Sequence, residues 1–317
     1  MPNVGASPHP DDNNKHFTWE AKWKQYAPEK ALLVSGSSIT ITADVLIINL
    51  GSFGGPFVIF TLTPLRNGLT LASQDRVSTM ASLYRRCFIH GFRSGWVGGL
   101  WPSIPAIPQF CVLGPMYHIY ASFLGQKAAL VCTAVTETAI TYGANTRNAE
   151  VAYNHYVPRT DRLTNLTPAY KPIGPGAFMH ATRNALGMCG MRVFAAPLDE
   201  HMRKVIRNPQ ASRMLSDFVA SCLSGAISMP FNQLYNFFVT SKEARAATRL
   251  QRVSLATTYL KGQYLTVAPD GSVRPSRIML RDMGMRCLYA GTLFCIYATI
   301  ERNLVENWSF LSERFSS

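Results

Sequence analysis

The sequence is poor in charge, and poorest in acid. Charged residues fill 15% of the 317 positions, with 18 Asp and Glu against 31 Lys and Arg. An ordinary soluble domain carries about 25% charged residues, so the deficit points to a membrane protein. The chain also lacks any Cys-x-x-Cys. Its seven cysteines are odd in number and scattered, several of them inside apolar runs. That pattern speaks against a disulfide framework or a zinc site and reads as free buried thiols. There is no Gly-rich phosphate loop, no metal-spaced cluster and no nucleophile elbow, which argues against an enzyme. Gly51-Ser52-Phe53-Gly54-Gly55 is Gly-rich but lies in an apolar run, where close helix packing accounts for it. Residues 1–30 contain no apolar secretory core and no Arg, and they carry Asp11 and Asp12. They resemble neither a secretory signal nor a cleaved mitochondrial presequence. They read as a polar tail whose Trp19, Trp23 and Tyr26 sit at a membrane interface or against a partner.

What is present is hydrophobicity, 47% of residues, in recurrent stretches at about 31–63, 95–123, 128–153, 174–197, 214–239 and 278–305. Each is near or above the ~20 residues that a helix needs to cross a bilayer, where backbone groups must bond within the segment. The expectation is an all-α membrane protein with six transmembrane helices. The mean hydropathy of +0.04 is low for one. Long helices around a polar cavity, with hydrophilic loops, account for it. The net charge of +13 lies between the apolar segments rather than on one polar stripe, which argues against nucleic acid as a partner. Arg76, Arg85, Arg86 and Arg93 follow the first segment, against Asp75. Arg159, Arg162 and Lys171 follow the third, against Asp161. Lys242, Arg245, Arg249, Arg252, Lys261, Arg274 and Arg277 follow the fifth, against Glu243 and Asp270. The connectors at 121–127 and 203–212 are short. This bias puts the three long loops on one side and both termini on the other, and it divides the chain into three helix-loop-helix units.

Small residues lead to Pro230 in Ser224-Gly225-Ala226-Ile227-Ser228-Met229-Pro230-Phe231-Asn232-Gln233-Leu234-Tyr235. The first segment ends Thr63-Pro64-Leu65-Arg66-Asn67-Gly68-Leu69, and the third has Gly143-Ala144-Asn145-Thr146-Arg147-Asn148 in the same slot, without proline. Trp96-Val97-Gly98 is followed at regular spacing by Pro108, Cys111, Gly114 and Tyr117. These recurrences resemble the mitochondrial carrier family, whose odd helices end in Pro-x-Asp/Glu-x-x-Lys/Arg. The resemblance implies three pseudo-threefold repeats at 31–123, 124–206 and 207–306, between the tails 1–30 and 307–317, with helix kinks at Pro64, Pro108 and Pro230. It implies the mitochondrial inner membrane, both termini toward the intermembrane space, no cofactor and no metal, and membrane lipids, cardiolipin among them, as partners at the helix termini.

In that family the acid and base of each odd helix pair across the repeats and close the matrix end. Here the slots hold Arg66 and Leu69, Asn145 and Asn148, and Asn232 and Tyr235. No carboxylate stands at any acid position. On the opposite side only Glu200-His201-Met202-Arg203 keeps an acid-x-x-base spacing. Neutral hydrogen bonds of ~1 kcal/mol are weaker than charge-assisted ones. The expectation is therefore loss of the gated cycle and survival as a structural accessory subunit of a respiratory-chain or ATP-synthase complex. The N-terminal tail, the loop 241–277 and Trp308-Ser309-Phe310 would make the contacts. The alternative is an active, divergent carrier of a small anionic metabolite, with Ser103, Gln109, Arg183, Asn184 and Arg286 as its substrate contacts. The bland alternative for Arg286 is a structural pair with Asp282.

Overall fold

A computed structural model of the protein describes residues 54–306. The tails, most of the first apolar segment and the Gly51–Phe53 part of the Gly-rich run lie outside the described residues. The described chain is mostly helical. Six long helical stretches follow one another. The first is residues 54–61 continued by α1 (Thr63–Ala72). After the short α2 (Met80–Cys87) and a 3-10 turn at Phe92–Trp96, the second is assembled from α3 (Leu100–Ser103), α4 (Ala106–Cys111), a π-helical turn at Val112–Met116 and α5 (Tyr117–Leu124). The third is α6 (Gln126–Tyr156). The fourth is α7 (Ala177–Cys189), a π turn at Gly190–Phe194 and α8 (Ala195–Met202). The fifth is α9 (Pro209–Thr240). Then come α10 (Lys242–Ala246), α11 (Arg249–Tyr264) and a hairpin of β1 (Leu265–Val267) paired antiparallel with β2 (Val273–Pro275), before the sixth stretch, α12 (Arg277–Glu306).

Beside the hydrophobic core, two long helices bury stripes of polar side chains and expose apolar ones. On α9 the buried face carries Ser212, Ser216, Ser221, Ser224, Ser228 and Asn232, while Val219, Leu223 and Ile227 are exposed. On α6 Glu137, Thr141, Asn145 and Asn148 are buried and Val131 and Val135 exposed. Small polar residues let helices approach closely. Gly190 shows how close the fit is. A Cβ there would lie 2.7 Å from Ser224 Oγ and 3.1 Å from the Ala220 carbonyl. Among the described residues, Pro209–Thr240 and Arg277–Ile300 are long and apolar enough to cross a membrane.

Several helix bounds depart from the apolar segments. The first helix does not end at Pro64. The chain turns at Leu62, and the proline begins a fresh helix that runs to Ala72, because the first turn of a helix needs no N–H from it. In the second stretch the break falls at Ile104 and Pro105 rather than at Pro108, which sits inside α4. Pro230 lies inside an uninterrupted α9. That helix starts at Pro209, five residues before the apolar run, because Asn208 Oδ1 accepts the N–H groups of Gln210 and Ala211. The connector between α5 and α6 is Gly125 alone, at φ 76° and ψ 162°, a conformation that L side chains rarely adopt. The surface helix in the first long loop is the two-turn α2. Its counterpart in the third is α11, closed by a reciprocal Thr248–Gln251 capping box.

Candidate central pocket

Residues of the first, second, third, fourth and sixth stretches line one pocket. Its walls toward one end are apolar: Ile59, Phe110, Leu113, Leu293, Phe294 and Tyr297. Ile59, Phe110, Leu113, Leu293 and Tyr297 also belong to the largest hydrophobic cluster, so this part of the cavity is built from core packing. The remainder is polar: Arg66 from α1, Gln109 from α4, Glu137 and Asn145 from α6, Arg183 and Asn184 from α7, and Arg286 and Tyr289 from α12.

Three guanidinium groups therefore reach one cavity from three separate helical stretches. Arg183 is 8% exposed and Arg286 5%. Arg183 donates to Asn232 Oδ1 at 2.7 Å and lies over the Tyr235 ring at 4.4 Å, with its Nε unpaired. Arg286 reaches Ser228 Oγ at 3.4 Å and lies 5.6 Å from the centre of the Tyr289 ring. Its supposed partner Asp282 is engaged elsewhere, by Arg281 at 2.8 Å and by the Tyr264 hydroxyl at 3.1 Å, so the structural Arg286–Asp282 pair does not form. Arg66 has no side-chain hydrogen bond or ion pair among the described residues. The carboxylate that does face the pocket, Glu137, accepts from the Gln109 amide at 2.7 Å and from none of the three arginines.

Four of the five proposed substrate contacts thus meet in one place: Gln109, Arg183, Asn184 and Arg286. Ser103 does not, since its hydroxyl turns back to the Gly99 carbonyl at 2.8 Å within its own helix. Sequence reasoning missed Glu137 and His180. His180 is fully buried and sits between Asn145 (2.9 Å at Nε2) and Thr138 and Asn184 (3.3 and 3.1 Å at Nδ1). The signal for Glu137 was there in the spacing. Glu137, Thr141, Asn145 and Asn148 recur every three or four residues and share one helix face.

The six gate positions divide into two groups. Arg66 and Asn145 line the pocket, and Asn232 reaches it through Arg183. Leu69, Asn148 and Tyr235 lie at a girdle below it, on the side of the long loops. There the first, third and fifth stretches are joined pairwise by neutral hydrogen bonds. The Tyr235 hydroxyl meets Thr146 at 3.0 Å, Asn148 donates to Asn67 at 3.5 Å, and Asn236 donates to the Leu69 carbonyl at 3.4 Å. Beyond the girdle the ties become ionic. Glu150, with a 1% exposed side chain, pairs with Arg245 at 2.6 Å and accepts from Thr167. Arg281 binds the carbonyls of Ala72, Asp75 and Ser78. Burial pushes the Asp75 carboxyl up, but the N–H groups of Ser78 and Val77, the Ser78 hydroxyl and nearby Arg281 together hold it below the usual value of 3.8. Burial pushes the Cys87 thiol of α2 up to about 12, so it is inert.

On the opposite side the Glu200–Arg203 spacing does not make a pair. Arg203 binds Asp199 one turn earlier, at 2.7 Å, and Asp199 accepts from Ser212 across to α9. An i,i+4 separation places the two side chains on one helix face. Compared with family models the chain matches none, and no curated protein matches it in sequence.

Proposed function

We propose that the six stretches all cross the membrane as three carrier-like repeats and that the central pocket binds a small organic anion, in a protein of the mitochondrial inner membrane with both termini toward the intermembrane space. One observation carries this reading: Arg66, Arg183 and Arg286 converge on a cavity whose carboxylate pairs with none of them. Buried charge is costly unless paired. A purely structural bundle gains nothing from three cations held together, whereas a carboxylate or phosphate ester bound among guanidinium groups gains charge-assisted, bidentate hydrogen bonds. The apolar wall of Phe110, Leu293 and Phe294 suits the carbon skeleton of such a ligand. The neutral girdle closes the loop side and holds less strongly than ion pairs would, so its opening costs less.

A second reading is a structural accessory subunit of a respiratory-chain or ATP-synthase complex. The favouring observation is the absence, among the described residues, of any ionic tie directly between the first, third and fifth stretches at the gate positions, where the family's closure depends on such ties. Purification in mild detergent separates the readings. The anion reading expects the free protein to be stabilised against heat by malate, citrate or inorganic phosphate, and Arg286→Ala to weaken this about 10- to 100-fold, the equivalent of a charged hydrogen bond. Stoichiometric co-migration with a large inner-membrane complex, with no response to any anion, would overturn it in favour of the structural role.

A further inference from the structure

We propose that His90 and His155 form a two-histidine site for one divalent transition-metal ion, zinc or copper, which clips the turn after α2 to the loop-side end of α6. The site is separate from the central pocket and does not rest on the anion reading. It departs from the metal-free expectation that the family resemblance carries. The placement of the two rings is the ground for it. Their centres lie 5.1 Å apart, with the ring planes at 86°. A tetrahedral ion bonded at about 2.0–2.1 Å to one nitrogen of each of two imidazoles sets the ring centres roughly 5 Å apart. One coordinating atom is also unspent. His155 Nε2 is buried and has no hydrogen-bond partner among the described residues. Leaving a buried polar atom unpaired costs about 1–3 kcal/mol. A neutral imidazole nitrogen that bonds nothing in the protein is the ligand that zinc and copper take.

The backbone that carries the two rings is fixed by the protein itself. His155 is the last residue but one of α6. The next residue, Tyr156, points its hydroxyl at the carbonyls of Ser94 at 2.6 Å and Cys87 at 3.2 Å, and its own carbonyl accepts from Arg86 at 3.3 Å. These bonds tie both ends of the segment 87–94 to α6. His90 lies between them on an exposed turn, closed by the Gly91 N–H donating to the Phe88 carbonyl at 3.0 Å. The rings stand edge to face, so rotation of the exposed His90 side chain is the movement that binding needs, a matter of rotamers rather than backbone. The cations nearby do not fill the site. Arg86 pairs with Asp75 at 3.4 Å, and Arg162, which acts on His155, is exposed and screened by solvent. Among the described residues no three His, Cys, Asp or Glu side chains gather to hold an ion. Water therefore completes the coordination, and the site is open and weaker than a closed four-ligand zinc centre. Magnesium and calcium, which take oxygen ligands, gain nothing from two imidazoles.

Calorimetric titration of the full chain in detergent with zinc chloride tests the site, and magnesium chloride should give no binding heat. Zinc affinity should fall by about tenfold or more in His90→Ala and in His155→Ala and stay unchanged in His201→Ala, whose ring lies exposed on the opposite side. Saturating zinc should raise the melting temperature of the wild type and not that of His90→Ala, because the ion binds only the folded chain, where the two rings meet. With copper(II) in place of zinc, electron paramagnetic resonance should show coupling to two imidazole nitrogens in the wild type and to one in either variant. If His155→Ala fails to fold, His90→Ala carries the test alone, since His90 is an exposed turn residue. Absence of zinc binding by the wild type, zinc affinity unchanged in His90→Ala, or a copper spectrum with a single nitrogen in the wild type overturns the site. None of these outcomes bears on the anion pocket.

Discussion

The loop-side end of the bundle and its central pocket arrange their charged side chains in opposite ways. At the loop-side end Glu150 meets Arg245, Asp282 meets Arg281, and Asp75 meets Arg86 at 3.4 Å. In the pocket Arg183 rests on an amide and a tyrosine ring, Arg286 reaches a serine hydroxyl, and Glu137 rests on Gln109, while Arg66 lines the same cavity. The first arrangement is what stability selects, because each buried charge has its counterion. The second leaves cationic capacity unused in the protein alone and is what a ligand completes. The girdle of Asn67, Asn148, Thr146, Tyr235 and Asn236 lies between them and is neutral throughout.

The sharpest test of this contrast removes one charge from each level. Glu150→Ala strips the counterion from Arg245 and the acceptor from Thr167. It should cost about 3–5 kcal/mol in thermal unfolding in detergent while leaving anion binding intact in the protein that remains folded. Arg183→Ala should do the reverse. Anion binding should weaken by about 1.5–3 kcal/mol, with a smaller loss of anion-free stability than in Glu150→Ala, because taking a like charge from Arg66 and Arg286 offsets the bond lost to Asn232. If Arg183→Ala destabilises the anion-free protein as much as Glu150→Ala does, the pocket arginines are structural and the contrast fails.

Asp75 provides a smaller, pH-dependent version at the paired end. Its oxygens order the turn that leads into α2 by accepting from Val77, Ser78 and the Ser78 hydroxyl. Its folded value lies below the ordinary 3.8, so its contribution is fully present above that pH and is lost as the pH falls through the lower folded value. Asp75→Ala should cost about 1–3 kcal/mol at neutral pH, and the difference from wild type should shrink in acid. A difference that is constant with pH would show that packing, not the charge, holds the turn.

The sequence displayed the bundle better than the site. Six apolar stretches, the two short connectors and the pairing of long loops with basic charge were all visible, and Arg183 and Arg286 stood out as charges inside apolar runs. The helix ends were not visible at Pro64–Ala72 or Pro209–Met214. There, inward polar residues such as Asn67, Thr70 and Ser212 lower the hydropathy of segments that remain helical. Glu137 stands outside the slots that the motif defines, and it is the three-to-four-residue period of the polar face of α6 that places it inward. Ser103 was misjudged because a serine in a helix satisfies itself on the preceding turn, at the Gly99 carbonyl, more readily than it faces a cavity. The Glu200–Arg203 spacing misled because Asp199 offers the better helical register to Arg203.

The girdle gives the smallest expected effect and the one that bears most directly on whether the bundle moves. Of its three links, Tyr235–Thr146 at 3.0 Å is the only one of ordinary length, the others being at the long limit for a hydrogen bond. Tyr235→Phe keeps the ring beneath Arg183 and removes only the hydroxyl. The expected cost is about 1 kcal/mol, roughly a fivefold shift in any equilibrium that the bond opposes. If the girdle opens during function, that shift appears as faster labelling, from the loop side, of a cysteine placed at Asn145 just above it, and citrate should alter the labelling rate. If the bundle is a fixed scaffold, the same substitution lowers the melting temperature slightly and leaves the labelling rate unchanged, because the single bond then opposes global unfolding alone.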